Sequence, residues 1–282
     1  MAMNVKRVLS VQDISCYGQC SLTVALPVLS AMGIETPILP TAMLSTHTAG
    51  FTGFTFRDLS GDLPAIVAHW KKEGIRFDAV YTGYLGSCED VAIVKALAKS
   101  ELNKGALIVD PAFGDNGKLY GGFDESYVAA MRELCFAADV LLPNLTEAFA
   151  LLGKPYHAPI DENEAKEIAL ALCEKGAKAV VLKGLGDPEK KTVGILAYDG
   201  KAAKTYFHPR LPKDSHGTGD VFASVFVGGY MESLDLLAAG KLAADFTYDA
   251  IANTIDDPTH AYGVKFEPLL SSLASRIEKA SR

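Results

Sequence analysis

Strand-length apolar runs alternate with longer segments of helical periodicity along most of the chain, and this alternation restricts the fold more than any other feature. Residues 7–11, 78–82, 106–109, 140–142 and 179–183 are short and largely apolar, as strands buried on both faces must be. Helical patterns fill the intervals at 21–32, 62–73, 89–100, 126–137 and 162–174. In the last of these, Ala165, Ile168, Ala169 and Leu172 recur at helical spacing behind an acidic start. The alternation predicts an α/β fold with a central, mostly parallel sheet flanked by helices on both faces. Residues 192–198 and 202–208, joined by Asp199-Gly200, read as a hairpin that adds an antiparallel edge. Two more helices are expected near 234–253 and 267–280. No linker, repeat or low-complexity tract divides the 282 residues, so a single domain spanning 1–282 is expected.

Ligands of open parallel sheets bind beyond the carboxyl ends of the strands. Many of the polar and glycine-rich segments fall at that one end: Gln12-Asp13-Ile14-Ser15, Gly83-Tyr84-Leu85-Gly86, Asp110 to Asp115, Pro143 to Glu147 and Gly184-Leu185-Gly186. The most specific motif lies further on. Lys213-Asp214-Ser215-His216-Gly217-Thr218-Gly219-Asp220 runs into Val221-Phe222-Ala223-Ser224-Val225-Phe226-Val227. A helix apolar on every face is buried, and Gly217, Thr218 and Gly219 would form its first turn. The unpaired N–H groups there, helped by the helix dipole, make an anion hole. Asp220 adds negative charge where a bound anion would repel it. That makes sense if Asp220 faces a hydroxyl while the N–H groups hold a transferring phosphoryl. A glycine-rich helix cap with a favourable first-turn acid is the plainer reading of the same residues.

Other candidates carry a plain and a functional reading side by side. Asp110 and Asp115 sit on one tight loop and repel each other unless a cation or donor lies between them; solvated acids on a surface turn are the alternative. Asn144 and Glu147 have the spacing of a capping box. Lys183 ends an apolar strand and suits nucleotide phosphates electrostatically, or is simply the first solvated residue. His47, Thr48 and Tyr84 offer an imidazole, a hydroxyl and an aromatic face, which a flat heteroaromatic ring needs for in-plane hydrogen bonds and stacking. Packed core rings are the alternative for His47 and Tyr84.

Composition removes several classes. The net charge is −7 without a basic cluster, which disfavours nucleic acid as a partner. No apolar stretch has the length of a membrane span, and no signal peptide precedes the first strand run. The five cysteines are an odd count mostly in apolar surroundings; the pair Cys16 and Cys20 lacks the second Cys/His pair of a zinc site. Reduced thiols in a cytoplasmic protein are expected.

The His-Gly-Thr-Gly-Asp motif before a buried helix resembles the catalytic signature of ribokinase-like small-molecule kinases, and among them the pyridoxal kinase family. The resemblance runs from about Val8 to Tyr248 and implies that fold without a large lid domain. It implies ATP-dependent phosphorylation of the 5′-hydroxymethyl group of a vitamin B6 form, with Asp220 as base and the Gly217–Gly219 backbone as anion hole. Asp110-Pro111-Ala112-Phe113-Gly114-Asp115 resembles the family's Asp-Pro-x-x-Gly-Asp loop, which implies that Asp110 positions Mg²⁺ and that Asp115 lies near the transferring phosphate. Asn144 and Glu147 match an Asn-x-x-Glu that organises Mg²⁺ and nucleotide phosphates, and Lys183 stands where similar bacterial kinases carry a lysine. Ser45-Thr46-His47-Thr48 and Tyr81-Thr82-Gly83-Tyr84-Leu85-Gly86-Ser87 are similar to the family's substrate segments. Relatives are typically dimeric and often depend on K⁺.

Three departures stand out. The family's Gln-Ser-His at the first strand end is Gln12-Asp13-Ile14 here, so a carboxylate can face the ring substituents. Leu142 replaces a threonine, and His216 takes the neighbourhood of a lid cysteine that some relatives use to trap an aldehyde. Hydroxymethylpyrimidine kinases share the fold, the Gly-Thr-Gly-Asp and a strand-end Lys-Gly. Their Asp-Ser-Gly-Gly-type segment is not matched by Asp13-Ile14-Ser15-Cys16-Tyr17-Gly18. A catalytically silent vitamer-binding protein is the third reading, against which the intact Asp220 and anion hole argue.

Overall fold

The apolar runs pair into one sheet whose two faces are both buried, which is why its strands read as continuous apolar stretches rather than alternating ones. The computed structural model describes residues 5–48, 50–187, 189–212 and 216–280; Lys213, Asp214 and Ser215, which lead into the Gly-Thr-Gly-Asp motif, lie outside them. In chain order the strands are β1 (Val8–Ser15), β2 (Ile38–Leu44), β3 (Phe56–Asp58), β4 (Phe77–Thr82), β5 (Asn103–Val109), β6 (Gly114–Asp115), β7 (Lys118–Leu119), β8 (Val140–Leu141), β9 (Val180–Asp187), β10 (Thr192–Tyr198) and β11 (Ala203–Pro209). The sheet runs β11-β10-β9-β8-β5-β4-β1-β2-β3, with β6 and β7 as a separate small hairpin. From β2 to β9 all neighbours are parallel; β3, β10 and β11 are antiparallel additions at the two edges.

The helices are α1 (Leu22–Ala31), α2 (Leu63–Lys72), α3 (Cys88–Ala98), α4 (Glu125–Cys135), α5 (Leu145–Leu152), α6 (Glu162–Glu174), α7 (Thr218–Met231), α8 (Leu236–Ala252) and α9 (Leu273–Ala280). Strand side chains alternate between two cores. Leu9, Val11, Phe77 and Val80 pack toward α2–α6, whereas Val8, Ala79 and Tyr81 pack toward α1 and α7–α9. Among the described residues no helix is long and apolar enough to cross a membrane.

Helix α7 is buried without interruption from Val221 to Gly229. Its neighbours approach closely where side chains are absent: a Cβ on Gly228 would lie 2.2 Å from the Met32 sulfur just beyond α1. This embedding fixes the start of α7 at the carboxyl ends of the parallel strands, where the sequence places the site.

Several expected boundaries move. β1 and β9 are longer than their apolar runs, so Gln12–Ser15 and Gly184–Gly186, read as connections, are strand ends. β2 escapes a reading of the sequence because Pro40 interrupts it. There the β1–β2 register slips: Gln12 faces Pro40 but Ile14 faces Met43, so Asp13 sits at an irregularity. The expected terminal helix is split, with a 3₁₀ segment at Glu267–Ser272 ahead of α9. The hairpin forms as expected, with Tyr198 opposite Ala203.

Candidate active site

The first turn of α7 forms the floor of the site. Gly217 caps the helix with φ 75° and, being glycine, has no side chain to offer the first-turn N–H groups. A Cβ there would lie 1.7 Å from the Gln19 carbonyl oxygen, so glycine satisfies both the left-handed conformation and a close backbone approach. At Gly219 a Cβ would meet nothing within 4 Å. Asp220 follows, half-buried. Loss of hydration, then repulsion from Asp110 and Asp13, pushes its carboxyl up to about 7, against the opposing pull of Lys183.

A second group lies at the ends of β5, β8 and β9. Lys183 Nζ donates to both carboxylate oxygens of Asp110, at 2.9 and 3.0 Å. The β9–β10 register explains the aim of Lys183. Ile195 pairs with Lys183 and Gly194 with Leu185, leaving Gly184, at φ 81°, as a bulge between them. Asn144 and Glu147 form a complete capping box at the start of α5. Glu147 Oε2 accepts from the Asn144 N–H at 2.9 Å and Oε1 from the Phe113 N–H at 3.1 Å. The Asn144 amide also donates to the Gly114 carbonyl at 2.7 Å, bracing the β6–β7 hairpin that presents the exposed Asp115. Glu147 is raised to about 8, first by burial and then by Asp110. Burial works to lower Lys183, but Asp110 and Glu147 outweigh it and hold the ammonium above its usual value.

Magnesium can be tested against this donor set. Among the described residues no three His, Cys, Asp or Glu side chains converge into an all-protein metal cage. Mg²⁺ commonly takes only one or two carboxylates and completes its shell with water and substrate phosphates. Asp110 and Glu147, two hard-oxygen donors whose mutual repulsion Lys183 offsets, fit a cation that arrives with phosphates.

On the other side of Asp220, Asp13 is 4% exposed. Burial raises its carboxyl, opposed by hydrogen bonds from the Ser21 and Ser15 hydroxyls, the latter at 3.0 Å. Tyr84 is close enough to feel the charges of Asp13 and Asp90, and burial together with them lifts its phenol to about 12; its ring leans on Phe123 at 5.5 Å. His47 is buried, with Nε2 2.8 Å from the Tyr262 carbonyl, and desolvation lowers its basicity. Nε2 is therefore the protonated nitrogen, donating to that carbonyl. His216 is exposed, 5.8 Å from the His47 ring. Thr48 is exposed, and among the described residues no contact ties it to this cluster.

The structure thus brings Asp13, Tyr84, His47, Asp110, Glu147, Lys183 and Asp220 to one end of the sheet, with Thr48 exposed next to His47. It also adds residues that sequence reasoning missed. Ser15 and Ser21 serve Asp13. Tyr17, Phe51 and Tyr262 form an aromatic wall with His47, with Tyr17 to Tyr262 at 4.7 Å and His47 to Phe51 at 5.1 Å. Burial, and after it the charges of Glu147, Asp115, Asp220 and Asp110, raise the Tyr120 phenol above its usual value. Only the aromatic content of these segments offered a signal, since each comes from a connection of irregular length.

An anion-ready helix start beside a carboxylate, at the strand ends of such a sheet, defines a small-molecule kinase of ribokinase-like architecture. Residues 28–264 match the model of the phosphomethylpyrimidine kinase family, and the chain belongs to that family. It is 30% identical to a hydroxymethylpyrimidine/phosphomethylpyrimidine kinase of Bacillus subtilis, over 82% of this chain and 86% of that protein. Among solved structures, a provisionally assigned phosphomethylpyrimidine kinase of Bacteroides thetaiotaomicron, crystallised with pyridoxal, superposes with a TM-score of 0.91 at 38% identity, covering 96% of each chain. The pyridoxal kinase of Lactobacillus plantarum superposes with a TM-score of 0.90 at 35% identity, over 98% of this chain and 99% of that one.

Proposed function

We propose that this kinase transfers the γ-phosphoryl group of ATP to the 5′-hydroxymethyl group of a vitamin B6 form. The observation that carries the reading is Asp220 in the first turn of α7, close enough to Asp110 and Lys183 on one side and to Asp13 on the other to feel all three charges. The relative crystallised with pyridoxal supports the choice of ring. In the proposed reaction Asp220 orients the hydroxyl and accepts its proton as the oxygen bonds to phosphorus. The bond from phosphorus to the bridging oxygen breaks, and ADP leaves. The N–H groups of Gly217, Thr218 and Gly219 face the equatorial oxygens and hold their charge. Lys183 turns from Asp110 toward the phosphates, Asn144 keeps the Asp115 hairpin in place, and Asp110 with Glu147 would hold Mg²⁺, which supplies charge neutralisation at the phosphates. His47 and Tyr84 grip the pyridine ring. With this reading go a cytoplasmic homodimer and a dependence on K⁺.

The acid limb of the rate at low concentrations of both substrates should lie near pH 7, because that regime reports the free enzyme and Asp220 must be ionised to act. The rate rises with pH through that value. Lys183→Met should move the limb upward, since the cation that favours the ionised form is gone; a profile flat from pH 5 to 8 in wild type would contradict the assignment.

Asp13 should set the preference among vitamers. A carboxylate facing the 4-aminomethyl cation favours pyridoxamine over pyridoxal, by roughly tenfold in kcat/KM if one charge-assisted hydrogen bond is at stake. Asp13→Ser should abolish the difference. Equal turnover of the two vitamers by both proteins would refute it.

Hydroxymethylpyrimidine kinase is the second reading, favoured by the family description and the B. subtilis relative. Measuring Mg²⁺-dependent ATP consumption with pyridoxal, pyridoxamine, pyridoxine and hydroxymethylpyrimidine separately decides between them. Turnover of the pyrimidine alone would replace the first reading.

A further inference from the structure

Asp124 caps α4, its Oδ1 accepting from the N–H groups of Ser126 and Tyr127 at 2.9 and 3.1 Å. The Phe123 ring lies on that of Tyr127, with centroids 3.8 Å apart and planes 10° from parallel. An apolar contact across a helix start fixes the angle at which the chain enters, and two phenylalanines would make it as well. The hydroxyl is what needs a reason. Tyr127 is 3% exposed, and a phenol so buried requires a hydrogen-bond partner. Its hydroxyl donates to the Leu85 carbonyl at 2.5 Å, 42 residues back along the chain.

Leu85 lies in the connection after β4, next to Tyr84. β4 ends at Thr82, so the Leu85 carbonyl has no sheet ladder to join, and the residue is fully buried. Phe123 in turn meets the ring of Tyr84, at 5.5 Å and 33°. Tyr127 thus reaches Tyr84 by two routes, through the stacked Phe123 ring and through the carbonyl of the next residue. A third contact runs elsewhere: the Phe113 ring, from the Asp110–Asp115 loop, meets the Tyr127 ring edge-on at 6.4 Å.

We propose that Tyr127 is a positioning residue for the acceptor side, setting the ring of Tyr84 through its hydroxyl on Leu85 and its stack on Phe123. The proposal rests on the reading under which Tyr84 faces the ring of the phosphoryl acceptor. Without the hydroxyl, the Tyr84–Leu85 turn loses its anchor to α4 while all three ring contacts of residue 127 remain.

The test uses Tyr127→Phe, Phe123→Leu, Tyr84→Leu and the double variant Tyr127→Phe/Tyr84→Leu. Tyr127→Phe should raise the acceptor KM about fivefold, the size of one buried hydrogen bond, with kcat and the KM for ATP within about twofold of wild type. Phe123→Leu should act in the same direction. Loss of the hydroxyl should also speed amide hydrogen exchange across residues 83–87. In the Tyr84→Leu background, where no ring remains to be placed, Tyr127→Phe should change the acceptor kcat/KM less than about twofold. An unchanged acceptor KM in Tyr127→Phe, with only the unfolding temperature lowered, would reduce the hydroxyl to a structural part and overturn the proposal. So would a rise in the KM for ATP as large as that for the acceptor, which would assign the effect to Phe113 and its loop. If wild type phosphorylates hydroxymethylpyrimidine and no B6 form, the vitamin B6 reading fails, and the same variants with that acceptor decide the role of Tyr127. If it phosphorylates neither, hydrogen exchange decides it, and unchanged exchange at 83–87 in Tyr127→Phe overturns it.

Discussion

Asp220→Asn should lower kcat at least about a hundredfold, the scale of a lost general base, and should at the same time make the protein harder to unfold at pH 8. The second effect follows from the sign of the shift. The ordinary value for an aspartate is 3.8, and in the folded protein the group is raised to about 7. The folded state therefore holds the proton more tightly than the unfolded chain does. Stability is lost as pH rises from about 4 toward 7, and above 7 the full cost of the buried charge is present. Asparagine never ionises, so the variant gains at pH 8 and gains nothing at pH 4. Steady-state kinetics and thermal scans at the two pH values check both parts. A rate near wild type would remove Asp220 from the chemistry; a lower unfolding temperature at pH 8 would mean that its carboxylate is structurally required.

The two glycines of the motif should respond in opposite ways. Gly217→Ala puts a methyl group 1.7 Å from the Gln19 carbonyl oxygen on a backbone at φ 75°, so one segment must move. We expect a loss of at least about 2 kcal/mol of stability, from strain and displacement together, and loss of turnover with it. Gly219→Ala meets no atom within 4 Å, and alanine suits a helix better than glycine. Its unfolding temperature should hold or rise. Side chains on a helix tilt toward its N-terminus, so the added methyl enters the space in front of the first-turn N–H groups. The KM for ATP should rise tenfold or more. If Gly219→Ala binds ATP as wild type does, the phosphoryl group does not sit against this turn.

The alternation of apolar runs disclosed the parallel sheet, its antiparallel hairpin and most helices, because burial on two faces leaves a compositional mark. The burial of α7 was legible for the same reason, since Val221 to Val227 is apolar on every face, whereas its Gly-Thr-Gly-Asp start read equally as a plain helix cap. What stayed hidden is instructive. Pro40 masked β2, and with it the register slip that holds Asp13. Lys183 and Asp110 were separately visible as candidates, yet nothing in the chain indicates that they pair bidentately, since they are 73 residues apart. Ser21 reads as the first residue of a helix, and only its dihedral angles place it outside. Glu147 keeps both of its readings: the capping box is complete, and the same carboxylate faces the charge of Asp110.

The loop from Tyr17 to Ser21 is closed from far along the chain. Gly217 packs under Gln19, Gly263 abuts the Gln19 side chain, Glu267 accepts from its amide, and the Tyr262 carbonyl holds His47. These partners lie 215 and 248 residues apart in the His47–Tyr262 and Gln19–Glu267 pairs. Contacts of such separation form late in folding, because the chain must close its longest loops first. During synthesis the N-terminal half can therefore gather its strands and helices, but the wall around His47 and the floor under Asp220 do not exist until the last quarter of the chain has emerged. A ribosome-bound or prematurely ended chain thus holds most of the sheet and none of the catalytic competence.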